Sequence, residues 1–296
     1  MSETTPAVPL PSSTVLLLRD AAPGDAPFSV LMIGRHKSVA FPGVHAFPGG
    51  VVEAADADAP ASLPADQRWP SEDLGDTPPG ALRYWVAAVR ELFEEVGILL
   101  AEQSGRPLLG PLPGPLQELR ARLHAGEPFG PLLAKHGLTP STHTLYNFAR
   151  WITPRSNPRR WDTRFLVGRL PAGQDAVVDG TETVSATWYT PRAALAAYDA
   201  GTIDLMPPTV RTLDELAAFP SIDGVLADAR SRVVCAASPD IVVDGPEPIW
   251  ARGRPRSQSL SSSAQNQPTR RLRGVPNFWN SPKGLVGRQG LEPWTR

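Results

Sequence analysis

The segment VRELFEEVG, residues 89–97, places three glutamates and an arginine within nine residues. On a wheel advancing about 100° per residue, setting Glu91 at about 0° puts Glu94 at about −60° and Glu95 at about +40°. Arg90 flanks them at about −100°, while Val89, Leu92, Phe93 and Val96 gather between about 100° and 200°. The apolar stripe runs back through Trp85 and Val86. This pattern predicts a core-facing helix over about 81–96 with one acidic edge. Gly97 suits the position just past a helix end, where a left-handed conformation is favoured. Two readings of the acidic edge remain open on the helix alone. One is a solvated face. The other is a cation site, because Glu91 and Glu95 are like charges at i,i+4, a destabilising pair, and converging carboxylates suit a hard cation such as magnesium.

Around this helix the chain reads as strands, then helix, then strands, then helices. Residues 1–12 read as a flexible lead-in, and the segments 13–19 and 28–34 as strands. A Gly-centred loop, HAFPGGVVEAAD, covers 45–56. Residues 57–80 are rich in Ala, Pro and acids without a period, as expected of a surface insertion. Short helices are expected at 116–126 and 129–138, and strands at 144–154, 162–170 and 183–190. Pro191 opens a helix that Gly201 ends, and Pro207 opens another over 207–219. A third is expected within 221–232. The order predicts an α/β fold with a central mixed sheet flanked by helices.

Composition limits the classes of function. Cys235 is the only cysteine, so neither an intrachain disulfide nor a cysteine-based metal site is expected. No apolar run approaches the length of a membrane span, and the first residues lack the features of a signal peptide. A cytoplasmic protein with no membrane partner is expected. Residues 251–296 carry nine Lys and Arg against one Glu, a net of +8, which leaves the rest at −9. An acidic body argues against nucleic acid as the main partner. Residues 246–296 are expected to be a disordered basic tail. Two readings of it stay open: a basic arm that binds nucleic acid, and, preferred, read-through after a frameshift, since its GLEP string is what a frame running through the complement of a transfer-RNA T-loop gene encodes.

At RELFEEVGI, 90–98, the chain resembles the Nudix hydrolases. Their signature is Gly, five residues, Glu, seven residues, then Arg-Glu-aliphatic-any-Glu-Glu-any-Gly-aliphatic. Residues 90–98 match the second half throughout, and FPGG, 47–50, matches the first. Two departures stand out. Counting from Gly50, Asp56 occupies the glutamate position, and a 26-residue insertion separates the halves. Such an insertion is similar to that of the branch containing the peroxisomal coenzyme A diphosphatases of animals and their bacterial relatives. The segments 151–171, 182–195 and 205–213 resemble that branch too. A second motif, of other coenzyme A-cleaving relatives, is met at Gly43 and FPGG but not upstream, where Val39 stands for an arginine and Arg35 lies one place late.

The resemblance implies a Nudix-type α/β/α sandwich over 13–245 and a hydrolase that cleaves a nucleoside diphosphate linked to another group. It implies coenzyme A or acyl-coenzyme A as substrate, with ADP-ribose, NADH or another nucleoside diphosphate as alternatives. A catalytically inactive nucleotide-binding regulator is the reading from another class. Mg²⁺ or Mn²⁺ is the implied cofactor, with Glu91, Glu95, Glu94 and the Gly49 carbonyl as ligands. Arg90 is expected to orient a carboxylate and Asp56 to stand behind the ligands. Glu182, with Asp179 as alternate, is the expected general base. Substrate contacts are expected from Arg35, Phe47, Gly50, Arg159 and Arg160, since guanidinium forks suit phosphates. The histidines show no metal-ligand spacing. A homodimer is compatible with the resemblance.

Overall fold

The segment LPSSTVLLLRD builds the middle of the molecule. The computed structural model describes residues 6–21, 26–35, 44–67, 78–178 and 183–238, with the side chains of 35, 78 and 79 excepted. In it, β1 (Leu10–Asp20) is covered on both faces, which is why its apolar run barely alternates. On one side it runs parallel to β9 (Trp161–Arg169), from Leu10↔Trp161 to Leu18↔Arg169. On the other it pairs antiparallel with β2 (Phe28–Arg35) and with β4 (Gly49–Val51). β3 (Val44–Ala46), β8 (Tyr146–Ile152) and β10 (Thr183–Tyr189) extend the sheet, with short edge strands β11 (Asp204–Leu205) and β12 (Ala236–Ala237). Among the described residues this is one mixed, nine-stranded sheet.

Successive side chains of β1 point to opposite faces and so enter two separate cores. Val15 and Leu17 pack with Trp85, Leu92 and Val96 of α1 (Pro78–Val96). Leu16 and Leu18 pack beneath Ala194 of α4 (Pro191–Asp199), Leu213 of α5 (Pro207–Leu216) and Val225 of α6 (Ile222–Ser231). The result is an α/β/α sandwich. The Trp85 indole donates to the Leu145 carbonyl at 2.7 Å, tying α1 to the chain entering β8. Thr190 caps α4 by accepting from the Ala193 N–H, with Pro191 in the first position as expected.

Several expectations shift. The first strand starts at Leu10 rather than Ser13, because Leu10–Ser12 have a partner in Trp161–Thr163 that the local sequence does not reveal. The acidic helix starts at Pro78, inside the expected 57–80 insertion, and residues 54–58 form a 3₁₀ turn. The expected 129–138 helix divides into α3 (Phe129–Ala134) and β7 (Leu138–Pro140). β7 joins β5 (Ala101–Gln103) and β6 (Arg106–Pro107) in a small second sheet. These strands are too short to show a period. α2 (Gly114–His124) packs against α1 and α3. The expected tail, 246–296, is outside the described residues. Among the described residues no helix is long and apolar enough to cross a membrane.

Candidate active site

The site forms where the last two turns of α1 meet β4. Glu95 is 6% exposed, and one of its carboxylate oxygens accepts the Gly49 N–H at 2.8 Å. Gly49 has φ +156°, and a Cβ there would collide with the Ser13 carbonyl and the Thr14 backbone. Only glycine fits that approach. At Gly50 an added Cβ would overlap the Glu91 carboxylate. The two glycines therefore let the backbone of β4 lie directly against two glutamates of α1. The sequence expectation assigned the Gly49 carbonyl to a metal; the contact seen is from its N–H to Glu95.

Arg90 organises the rest. Its Nε and Nη2 donate to the two oxygens of Asp56 at 2.9 and 3.1 Å. Its Nη1 donates to Glu91 and Glu94, both at 2.9 Å, and Nη2 also reaches the Val51 carbonyl at 2.9 Å. Glu53 stands 3.8 Å away. The shorter Asp56 side chain suffices because the 3₁₀ turn of 54–58 presents it directly to the guanidinium. One cation thus faces several carboxylates in a poorly solvated place. Burial pushes Glu91 up to about 7, against the lowering effect of Arg90, and Glu94 up to about 7 for the same reasons. Burial alone would loosen the Arg90 proton, but Glu91, Asp56 and Glu94 more than offset it and raise its pKa.

This donor set fits a hard divalent cation. Glu91, Glu94 and Glu95 offer only oxygen ligands, and Glu91 and Glu94 share a single guanidinium donor. Among the described residues no group of three or more His, Cys, Asp or Glu is already arranged as a metal cage. The carboxylates are held instead by Arg90 and the Gly49 N–H. Gly50→Ala checks the role of the glycine gap. The Glu91 side chain can swing aside at small cost to stability but leaves its place, and misplacement of this size costs about 10²-fold in rate. The expected result is an unchanged melting temperature with kcat reduced by about that factor.

The other expected site residues fall into three groups. Phe47 is buried, packs edge-on against Phe165 with ring centroids 6.3 Å apart, and with Gly50 lines a cavity of about 180 Å³. Trp151, Trp161 and Met206 also wall this cavity, which lies on the α5 side of the sheet. They come from three separate segments, so no local motif revealed them. Arg160 is buried, and its guanidinium donates to the carbonyls of Thr153 and Ala7, at 2.9 and 2.8 Å. Those bonds hold the chain leading into β1. Arg159 is half-buried beside it. Arg35 closes β2 opposite Thr183, with its side chain outside the described residues. Glu182 and Asp179 also lie outside them, as do Val39 and Gly43.

The chain is similar to known proteins in sequence and fold. The family described as the NUDT19 Nudix domain matches residues 58–216, more than half of the chain. Acyl-coenzyme A diphosphatase NUDT19 of Gallus gallus is 30% identical over 241 residues, 68% of this chain and 64% of that protein. The Homo sapiens protein of the same name is 31% identical over 234 residues, 66% of this chain and 62% of that protein. The chain thus spans less than two thirds of the length of these relatives. A solved NUDIX hydrolase from Alicyclobacillus acidocaldarius is 27% identical with a TM-score of 0.63, covering 77% of this chain and 97% of that one. By its matched domain and its sandwich fold, the chain belongs to the Nudix family, in the group defined by the NUDT19 Nudix domain.

Proposed function

We propose that the protein is a divalent-metal-dependent diphosphatase that hydrolyses coenzyme A or acyl-coenzyme A to 3′,5′-ADP and the (acyl-)phosphopantetheine. The observation that carries this reading is the Arg90-centred carboxylate cluster set against Gly49 and Gly50. The names of the relatives support coenzyme A as the substrate class.

Glu91, Glu94 and Glu95 would hold Mg²⁺ or Mn²⁺. A divalent cation there supplies neutralisation of diphosphate charge and Lewis acidity. Arg90 keeps the carboxylates of Glu91 and Glu94 convergent by charge-assisted hydrogen bonds. Asp56 fixes Arg90 in turn, through a paired contact that a single ammonium could not reproduce. Glu182 is proposed to take the proton of the attacking water, with Asp179 as its alternate. The cavity of Phe47, Trp151 and Trp161 opens beside Gly49 and Gly50 and gives room for a part of the substrate beyond its phosphates. Arg159 and Arg35 are the proposed phosphate contacts.

A turnover assay on coenzyme A, ADP-ribose and NADH tests the reading. Hydrolysis of coenzyme A is expected in Mg²⁺ or Mn²⁺ and should vanish in EDTA. Preference for ADP-ribose or NADH would redirect the substrate assignment. No turnover of any of the three between pH 7 and 9 would end the enzyme reading and favour a nucleotide-binding regulator.

A further inference from the structure

Helix α1 carries Glu91, Glu94 and Glu95 at its C-terminal end, where a helix presents its negative pole. Its own last turn has no basic residue. A compensating cation arrives from another element. Arg120 of α2 donates from Nε to the Glu94 carbonyl at 2.8 Å and from Nη1 to the Val177 carbonyl at 2.6 Å. The Val177 N–H in turn donates to the Val96 carbonyl at 2.8 Å. Carbonyls that a helix end leaves without intrahelical partners are thus satisfied across the fold.

Gly97 makes the crossing feasible. It has φ +69°, and a Cβ there would sit 3.3 Å from Arg120 Nη1 and 3.5 Å from the Val177 carbonyl. Gln174, 6% exposed, completes the joint. Its Oε1 accepts the Leu99 N–H at 2.9 Å, and its Nε2 donates to the carbonyls of Leu99 and Leu108 at 3.1 and 3.0 Å. The segment 174–177 is therefore fastened to the end of α1 and to the chain leaving it.

We propose that Arg120 is a positioning residue for hydrolysis: it locks the turn that carries Glu94 and Glu95 to α2 and to residues 174–177. The proposal rests on the hydrolase reading above. The buried side of this turn is held independently, because Phe93 and Val96 are packed in the core. Loss of Arg120 therefore leaves the helix in place but frees the backbone under its acidic edge to fray, as unsupported helix ends do.

Kinetics and melting temperature of Arg120→Ala, Arg120→Lys and Val225→Ala, in saturating Mg²⁺ with the substrate that the wild type hydrolyses, form the test. Val225 is buried in α6 on the opposite side of the sheet and serves as a control for simple destabilisation. For Arg120→Ala a fall of about 10–100-fold in kcat is expected, with KM within about 3-fold. Arg120→Lys should stay impaired, because an ammonium lacks the planar fork that spans two carbonyls. Val225→Ala should melt earlier yet keep kcat within about 2-fold. Full kcat in Arg120→Ala, full rescue by lysine, or an equal kcat loss in Val225→Ala would each overturn the proposal while the hydrolase reading stands. A wild type inactive on every diphosphate removes both.

Discussion

Replacing Glu95 with glutamine is expected to lower kcat by at least ~10³-fold while leaving the fold intact. The substitution separates two roles of one side chain. A glutamine oxygen can still accept the Gly49 N–H that Glu95 accepts now, so β4 stays docked on α1. The negative charge is lost, and with it the proposed ligand for a divalent cation. Steady-state kinetics in saturating Mg²⁺ give the rate, and thermal melting within about 2 °C of wild type would show that structure survives. A variant with wild-type kcat would remove Glu95 from the catalytic assignment. A variant that fails to fold would point to a structural role for its charge.

Arg90→Ala should act on stability as well as on rate. The Arg90 guanidinium is nearly buried, and the Asp56 side chain that it grips in two places is 1% exposed. Removing the cation leaves that aspartate without its buried counter-ion, and breaking such a pair costs about 3–5 kcal/mol. For a domain of this size the melting temperature should fall by roughly 10 °C. Glu91 and Glu94 lose their shared donor in the same step, so kcat should fall as well. Arg90→Lys should recover little, because one ammonium cannot bridge Asp56, Glu91, Glu94 and the Val51 carbonyl together. Denaturant or thermal unfolding measures the effect. A shift under about 2 °C would mean that the Asp56 pair contributes almost nothing to stability.

What could be read from the sequence follows from the range of the interactions involved. Helix α1 was legible because its apolar stripe and acidic edge repeat every turn, and Gly97 adopts the positive φ that its place implied. Gly49 and Gly50 were legible as part of a motif, and the structure supplies the reason, since each approaches a neighbour that any side chain would strike. Arg160 shows the limit of residue-type arguments. In a loop rich in arginine it suggested phosphate recognition, but its donors go to Thr153 and Ala7. Ala7 is more than 150 positions away, and nothing near Arg160 in the chain announces that partner. Arg120 and Gln174 were missed for the same reason: each acts through backbone carbonyls of distant elements, which leave no pattern in side-chain chemistry. The cavity walls, drawn from β8, β9 and the start of α5, were equally beyond local reading.

The crowded glutamates of α1 are proposed to form a cation site. Calorimetric titration of Mn²⁺ into the wild-type protein and into Glu95→Gln tests it without reference to any substrate. Saturable binding to the wild type, weakened at least ~10-fold in the variant, is the predicted result. No saturable binding to the wild type, or equal affinity in both proteins, would contradict it.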